Sequence, residues 1–568
     1  MVMQYKNEAL TDKEVINMGV QSESMREEFA AVMESEAQSE GMSLTEQVQW
    51  SIEELLRYGV NKQLMEPADC PYVRNALLDL FHLREPHPMY KSEYAKEHTS
   101  EEDELQPIMK TLLDYGHIIG LTKHNTITER DLLDARITGL LMPRPSETNA
   151  KFQRTAREEG IEQATAQFYK LCVDSNYIRM DRIRKNSYWR YESEYGDIEI
   201  TINMSKPEKS PKEILEAKKA GTSHYPQCLL CADNVGYEGH SNHPARQNLR
   251  QIPIQLEDES WFFQYSPYVY YNEHSIVLHH DHVPMKLTKR TFERLLAFTA
   301  QFPHYFIGSN ADLPIVGGSI LSHDHFQAGR HTFAIEEAKT ERKFQWTAYP
   351  GIEASIVHWP MSVLRLAGKD RHQLAQAVHA IYESWQQYSD REAMIIAFTE
   401  SEAGRVPHNT VTPIMRRRGE LYEADVVLRN NLTSEAHPEG IYHPHREMHH
   451  LKKENIGLIE VMGLAILPAR LQASITSIIS ILAGEGSWQE QRMALREENA
   501  LYVHKDWIDA LVSKHGTSLD AHEAEHAIKQ DMGRLFVEIL SQAGVYKQDD
   551  AGRHAFLRFT EHLGMEEI

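Results

Sequence analysis

The stretch Asp312–His331, DLPIVGGSILSHDHFQAGRH, sets His323, His325 and Gln327 at alternate positions behind the pair Gly317-Gly318. On a strand, side chains two residues apart share a face. His323, His325 and Gln327 are therefore expected on one side, and Ser322, Asp324 and Phe326 on the other. On a helix of ~3.6 residues per turn the two histidines would diverge. The β-branched and apolar lead-in LPIVGGSIL favours the strand. The glycines allow a phosphate or a second strand to approach the backbone closely. Two histidines on one face suit a metal site, or a nucleophile beside a metal ligand. Taken alone, an H-x-H is as often a pair of ordinary hydrogen-bonded histidines.

Around this stretch the sequence has the texture of a sheet. WFFQYSPYVYYNEHSIVLHHDHVP is aromatic and β-branched, KLTKRTFERLLAFTAQFP is an amphipathic helix, and HYFIGSN and SILSHDHFQAG read as two more strands. From 346 to 470 the same order returns: strands in ASIVHWPMSVLRLAG, a helix in RHQLAQAVHAIYESWQQY, then strands in AMIIAFTE, NTVTPIMRR and YEADVVLRNN. Each run ends near an H-x-H, which points to an internal duplication. Before the first run, LTEQVQWSIEELLRYGV, PYVRNALLDLFHL and LQPIMKTLLDYGHIIG have helical spacing, with Thr45 the candidate N-cap of the first. MPRPSETNAKFQ (142–153) reads as a proline-broken loop, DIEITINMS as a strand, and SKPEKSPKE as a loop into the helix KEILEAKKAG. Four parts are expected: an acidic extension over 1–45, either a short helix or mobile; a domain over 46–345; a second over 346–490; and a helical part over 491–568.

The 568 residues carry 60 Lys and Arg against 83 Asp and Glu, a formal charge of −23. That balance disfavours nucleic acid or a membrane surface as partner, but not a small anion, which needs only a few local cations or N–H groups. The sequence shows no apolar run near the ~18–20 residues of a membrane span and no signal pattern. With four cysteines in all, no disulfide framework is expected, and the cytoplasm is the expected compartment.

Two further constellations carry chemistry. Cys228 and Cys231 in CLLC are half a zinc site or a redox pair, and His282 and His323 are candidates to complete a closed Cys2His2 set. EGIYHPHREMHHLKKENIGLIEVMG (439–463) holds His443 and His445, expected on one strand face, then Lys452, Lys453 and Glu460. Metal site, phosphate clamp and solvated surface all remain open there, the surface coming first on chemistry alone.

DLPIVGGSILSHDHFQAG closely resembles the signature of the second, Gram-positive-type class of galactose-1-phosphate uridylyltransferases. The likeness extends to CLLCADNVGYEG, NHPARQNLRQIPI, MPRPSETNAKFQ, RNNLTSEAHPEGIYHPH and KKENIGLIEVMGLAILP, covering roughly 48–500. Ala328 departs from it, standing where the family has Gly, and the N-terminal extension has no counterpart. The resemblance implies an α+β, duplicated histidine-triad-like fold, with antiparallel sheets flanked by helices and helical N- and C-terminal parts. It implies transfer of UMP from UDP-glucose to galactose 1-phosphate in galactose metabolism (the Leloir pathway), by a ping-pong route through uridylyl-His325. Gln327 would hydrogen-bond a nonbridging phosphate oxygen, and being a neutral amide it disfavours water as acceptor. Asn310, Gly317, Gly318 and Ser319 would meet the nucleotide phosphates, with Arg246 a phosphate cation. Lys453 and Glu460 would meet the hexose or its phosphate, either within one chain or from across the interface of a homodimer. Cys228, Cys231, His282 and His323 resemble a structural zinc set, and His443 and His445 a second metal site. The alternatives are a histidine-triad nucleotidyl hydrolase or adenylyltransferase, and a non-catalytic, zinc-stabilised nucleotide-sugar-binding protein.

Overall fold

Apolar spacing builds the first part of the chain into helices, and β-branched runs build the rest into sheets. The computed structural model describes residues 12–39, 41–91, 94, 105–204, 225–318, 320–401 and 404–568. The chain divides into two compact units. One comprises Met1–Arg154, Ala164–Asp181 and Lys209–Gln251; the other comprises Thr155–Gln163, Arg182–Glu208 and Ile252–Ile568.

The first unit is helical. Helix Leu44–Asn61 buries Val48, Ile52, Leu55 and Leu56, the spacing of a single apolar face. Its N-cap is Ser43, not Thr45. Ser43 Oγ accepts from the Glu46 amide while the Glu46 carboxylate accepts from the Ser43 amide, a reciprocal box that Thr45, two residues further on, does not make. Of the two forms expected for the N-terminal extension, the helix is found, over Asp12–Ser39. The loop expected at 142–153 is corrected to the start of helix Pro145–Glu158. Proline at a first helical position loses no intrahelical bond, and the Glu147 carboxylate accepts from the Arg144 amide at 2.8 Å. The loop and helix expected over 205–224 lie outside the described residues, as does Ser319.

The second unit holds the sheets. β1 (Ser187–Ser193), β2 (Gly196–Asn203) and β15 (Leu464–Pro468) form a three-stranded sheet. The large sheet contains β3 (Ile252–Leu256), β4 (Glu259–Tyr265), β5 (Ser275–His279), β6 (Phe306–Gly308), β7 (His325–Gly329), β8 (Thr340–Trp346), β9 (Glu353–Val357), β10 (Val363–Gly368), β13 (Asn409–Arg418), β14 (Leu421–Asn430) and β16 (Met565–Glu567). β11 (Phe398–Ser401) and β12 (Gly404–Pro407) make a separate hairpin.

The duplication is visible in the strand order. The first half runs β3-β4-β5-β7-β6 across the sheet, with helix Lys289–Gln301 between β5 and β6 in the chain. The second runs β8-β9-β10-β14-β13, with helix Arg371–Gln387 between β10 and β13. Both share one topology, and they join where β6 pairs antiparallel with β13 (Ile414 opposite Gly308). Helices Lys505–His515, Ala521–Ala543 and Asp550–His562 supply the helical C-terminal part. The fold is α+β, as the sequence suggested.

Two strand expectations need correction. β7 begins only at His325, so His323 lies in the bend before it. His323 Nε2 bonds to the His279 carbonyl, 2.9 Å away. His443 and His445 lie in irregular chain rather than on a strand. Pro444 between them donates no ladder bond, and the ring of each turns to a nearby carbonyl, Pro444 and Ile441 respectively.

Candidate active site

β7 is an interior strand, paired with β5 on one side and β6 on the other. His325, its first residue, is buried. Its Nδ1–H donates to the His323 carbonyl at 2.8 Å, two residues back in its own chain. In the neutral ring this leaves Nε2 unprotonated, the tautomer a nucleophile needs. Burial pushes the His325 pKa below the ordinary histidine value, so the neutral form persists.

Gln327, two positions on, meets the buried His274: its Oε1 lies 3.2 Å from His274 Nε2. His274 Nδ1–H donates to the Tyr268 carbonyl at 2.7 Å. Both ring nitrogens therefore face oxygens, which only an imidazolium would satisfy. Burial holds His274 neutral down to about 4, so the Gln327 amide resolves the conflict by turning its nitrogen end to Nε2. No local sequence signal reveals His274.

The Gly317-Gly318 loop folds onto its own start through the bridge Ala311–Gly317. A Cβ on Gly317 would lie 2.6 Å from the Ala311 and Leu313 carbonyls; one on Gly318 would lie 2.7 Å from Asn310 Nδ2. A side chain at Gly317 would have to displace backbone, and one at Gly318 the Asn310 side chain. Asn310 Oδ1 in turn accepts from the Leu458 amide at 2.9 Å. Asn455 donates to the Gly317 carbonyl at 3.4 Å and meets His443 Nε2 at 3.3 Å. Glu460 accepts from Lys452 Nζ at 2.8 Å and from the Gly457 amide at 3.2 Å. The structure thus brings Asn310, Gly317, Gly318, His443 and Glu460 together. The lysine that joins them is the buried Lys452, whereas Lys453 is exposed.

Arg246 lies in the helical unit, its guanidinium 5.8 Å from the centre of the Tyr177 ring. Its backbone exchanges bonds with Gly236 and Tyr237 and closes the turn after CLLC.

The Cys228 and Cys231 sulfurs are 3.5 Å apart, and the His282 and His323 rings are 5.0 Å apart. The two cysteines lie in the first unit and the two histidines in the second. Burial, then Cys228, pushes the Cys231 thiol up to about 11. A cation would reverse that by stabilising the thiolate. Of the nearby histidines, His279 turns Nδ1 to the Asp281 backbone and His280 pairs with the Asp281 carboxylate. His445 stacks on His437 at 4.2 Å, and neither His443 nor His445 joins a ligand group.

Residues 83–284 match the family described as galactose-1-phosphate uridyl transferase, N-terminal domain, and residues 293–479 match its C-terminal domain. The chain is 53% identical to the galactose-1-phosphate uridylyltransferase of Caldanaerobacter subterraneus subsp. tengcongensis, over 91% of this chain and 98% of that one. It is 49% identical to the Bacillus subtilis protein of the same name, over the same shares. Among solved structures, yeast Ap4A phosphorylase Apa2 matches at 12% identity and a TM-score of 0.25, over 51% of this chain and 82% of that one.

Proposed function

The chain belongs to the galactose-1-phosphate uridylyltransferase family, and from that membership we propose that it exchanges UMP between UDP-glucose and galactose 1-phosphate through a covalent intermediate on His325. His325 Nε2 attacks the α-phosphorus of UDP-glucose. The P–N bond forms as the bond from the α-phosphorus to the bridging oxygen breaks, and glucose 1-phosphate leaves with that electron pair. The phosphorylated ring is cationic, and the His323 carbonyl accepting from Nδ1–H stabilises it. A phosphate oxygen of galactose 1-phosphate then attacks the same phosphorus, and the neutral imidazole departs. Gln327 donates to a nonbridging oxygen as charge builds there. Asn310, Gly317 and Gly318, with Ser319, hold the phosphates; Arg246 adds a cation; Glu460, joined to Lys452 and followed by the exposed Lys453, faces the hexose.

The observation that carries this reading is the buried His325 ring, with Nδ1–H spent on a main-chain carbonyl and Nε2 left as a lone pair. The test uses UDP-glucose labelled in the uridine, followed by intact mass measurement. An acid-labile, base-stable uridylyl group is expected on the native chain and not on His325→Ala, and galactose 1-phosphate should discharge it. A native protein that binds UDP-glucose but never carries the group would exclude the covalent route. Release of UMP without a sugar phosphate would favour the hydrolase reading, which the neutral Gln327 amide argues against.

We further propose that Cys228, Cys231, His282 and His323 hold a structural zinc. The donor set suits a closed tetrahedral site, in which the metal supplies cross-linking rather than chemistry. Metal analysis should find one zinc per chain, lost with cooperative thermal stability in Cys228→Ser. Full stability without zinc would refute this. His443, tied to Asn455, serves the loop beside Gly317 rather than a second metal. The protein acts as a homodimer in the cytoplasm. Beside that reading, among the described residues no helix is long and apolar enough to cross a membrane, and no disulfide joins the four cysteines.

A further inference from the structure

Arg429, on β14, is a buried cation with no carboxylate of its own. It is 1% exposed. One guanidinium NH2 donates to the Ile456 carbonyl at 2.9 Å, the other to Thr412 Oγ1 at 3.2 Å, and Nε–H has no partner among the described residues. Burial lowers its pKa to about 10, which still leaves it charged at neutral pH.

The contrast with the rest of the same strand pair is sharp. Arg365, Arg416 and Arg418 share Glu423, Asp425 and Glu336 in a network where charges of both signs meet. Around Arg429 they do not balance. Glu460, the nearest acidic influence on it, is already engaged by Lys452 Nζ and the Gly457 amide. Glu454 stands 4.0 Å from Lys452 with its side chain largely in water, which screens it. Arg429 and Lys452 against Glu460 leave one net positive charge in the buried cluster. Burying a charge without its counter-ion is costly, groups perturbed by burial cluster at functional sites, and an incoming anion would offset this charge.

The position of that charge is also defined. Ile456, whose carbonyl Arg429 holds, lies between Asn455, which donates to the Gly317 carbonyl, and Leu458, whose amide is capped by Asn310. Arg429 thus fixes the backbone that joins the Gly317-Gly318 loop to Glu460.

We propose that Arg429 is a positioning and charge-supplying residue of the acceptor's phosphate subsite: through Ile456 it holds the 455–460 segment, and its uncompensated charge selects a dianionic sugar 1-phosphate over a neutral sugar or water. Arg429 touches no substrate; it acts through the loop and through its field. The inference rests on the uridylyl-transfer reading above.

The experiment compares the full-length native protein with Arg429→Met and Arg429→Lys. Each is loaded with labelled UDP-glucose, and discharge by galactose 1-phosphate is then followed, with inorganic phosphate as a competing probe. In Arg429→Met the KM for galactose 1-phosphate should rise about tenfold or more and inhibition by phosphate should weaken in parallel, with a smaller change in kcat; Arg429→Lys, which keeps the charge, should stay within about threefold of native. An unchanged KM in Arg429→Met overturns the proposal. So does an equal loss in both variants, because Arg429→Lys keeps the charge and a single donor for the Ile456 carbonyl and would then have preserved nothing that matters. If Arg429→Met loses its cooperative melting transition, Arg429→Lys decides: a KM within threefold supports the charge, and a tenfold rise overturns it. A native protein that never forms the uridylyl group would fail at the loading step, which separates failure of the underlying reading from failure of this one.

Discussion

At the level of single residues, the site depends on which proton sits where. The His325 ring is held by one hydrogen bond to the His323 carbonyl, and the Gln327 amide by one buried ring. If His274 orients the Gln327 amide, His274→Leu should slow uridylyl-enzyme formation by about tenfold or more, in the range of removing an oriented donor. His274→Gln, whose amide oxygen can accept where Nε2 did, should recover part of the rate. Rapid-quench measurement with labelled UDP-glucose reads this directly. Equal rates in native and His274→Leu proteins of matched thermal stability would show that Gln327 needs no such support. The sequence made His325 and Gln327 legible because a local repeat of two carries them. It made Cys228, Cys231, His282 and His323 legible because zinc chemistry asks for that donor set. His274, Lys452, Asn455 and Arg429 escaped because their roles depend on partners up to 138 positions away, which no local pattern encodes. Lys452 and Lys453 are adjacent and chemically alike; only burial separates them.

At the level of elements, the amphipathic helices were readable because burial and period coincide, as in Leu44–Asn61. The misread pieces are those where a single residue overrides local texture. Pro145 opens a helix instead of breaking one, and Pro444 keeps the second H-x-H off a strand. β7 and β14 hold the same place in their half-sheets, yet one presents His325 and Gln327 and the other buries Arg429. Duplication thus supplied two equivalent strands that carry different side chains. The glycine loop between β6 and β7 can be tested at its two tightest points. In Gly317→Ala the new Cβ meets backbone carbonyls, so the loop itself must shift. In Gly318→Ala it meets the end of the Asn310 side chain, which can swing away. Gly317→Ala should therefore lower the melting temperature more, by about 1–3 kcal/mol of stability. Gly318→Ala should keep most of its stability and lose activity through the displaced Asn310. Calorimetry and the exchange of label between glucose 1-phosphate and UDP-glucose give the two readings. The reverse ranking in stability would contradict this account of the loop.

At the level of the whole molecule, buried neutral histidines set a limit on the acid side. His274, His304, His450 and His504 are each lowered to about 4, burial being the largest cause in every case. His450 and His504 bring their Nδ1 atoms to 3.4 Å beside Trp507, so neither welcomes a second charge. In the unfolded chain these rings titrate near ~6.5. Between about 6.5 and 4 the unfolded chain therefore binds more protons than the folded one, and stability rises with pH across that window. The stability these histidines provide is fully present above the unfolded value and drains away as pH falls toward 4. Urea melts between pH 7.5 and 5.5, above the range where most carboxylates titrate, should show a falling midpoint. In His450→Phe/His504→Leu the fall should be shallower, since two of the four proton-refusing sites are gone. A midpoint that holds constant or rises on acidification would mean that these rings are not kept neutral by burial, and the tautomer argued for His274 and its hold on Gln327 would lose its physical basis as well.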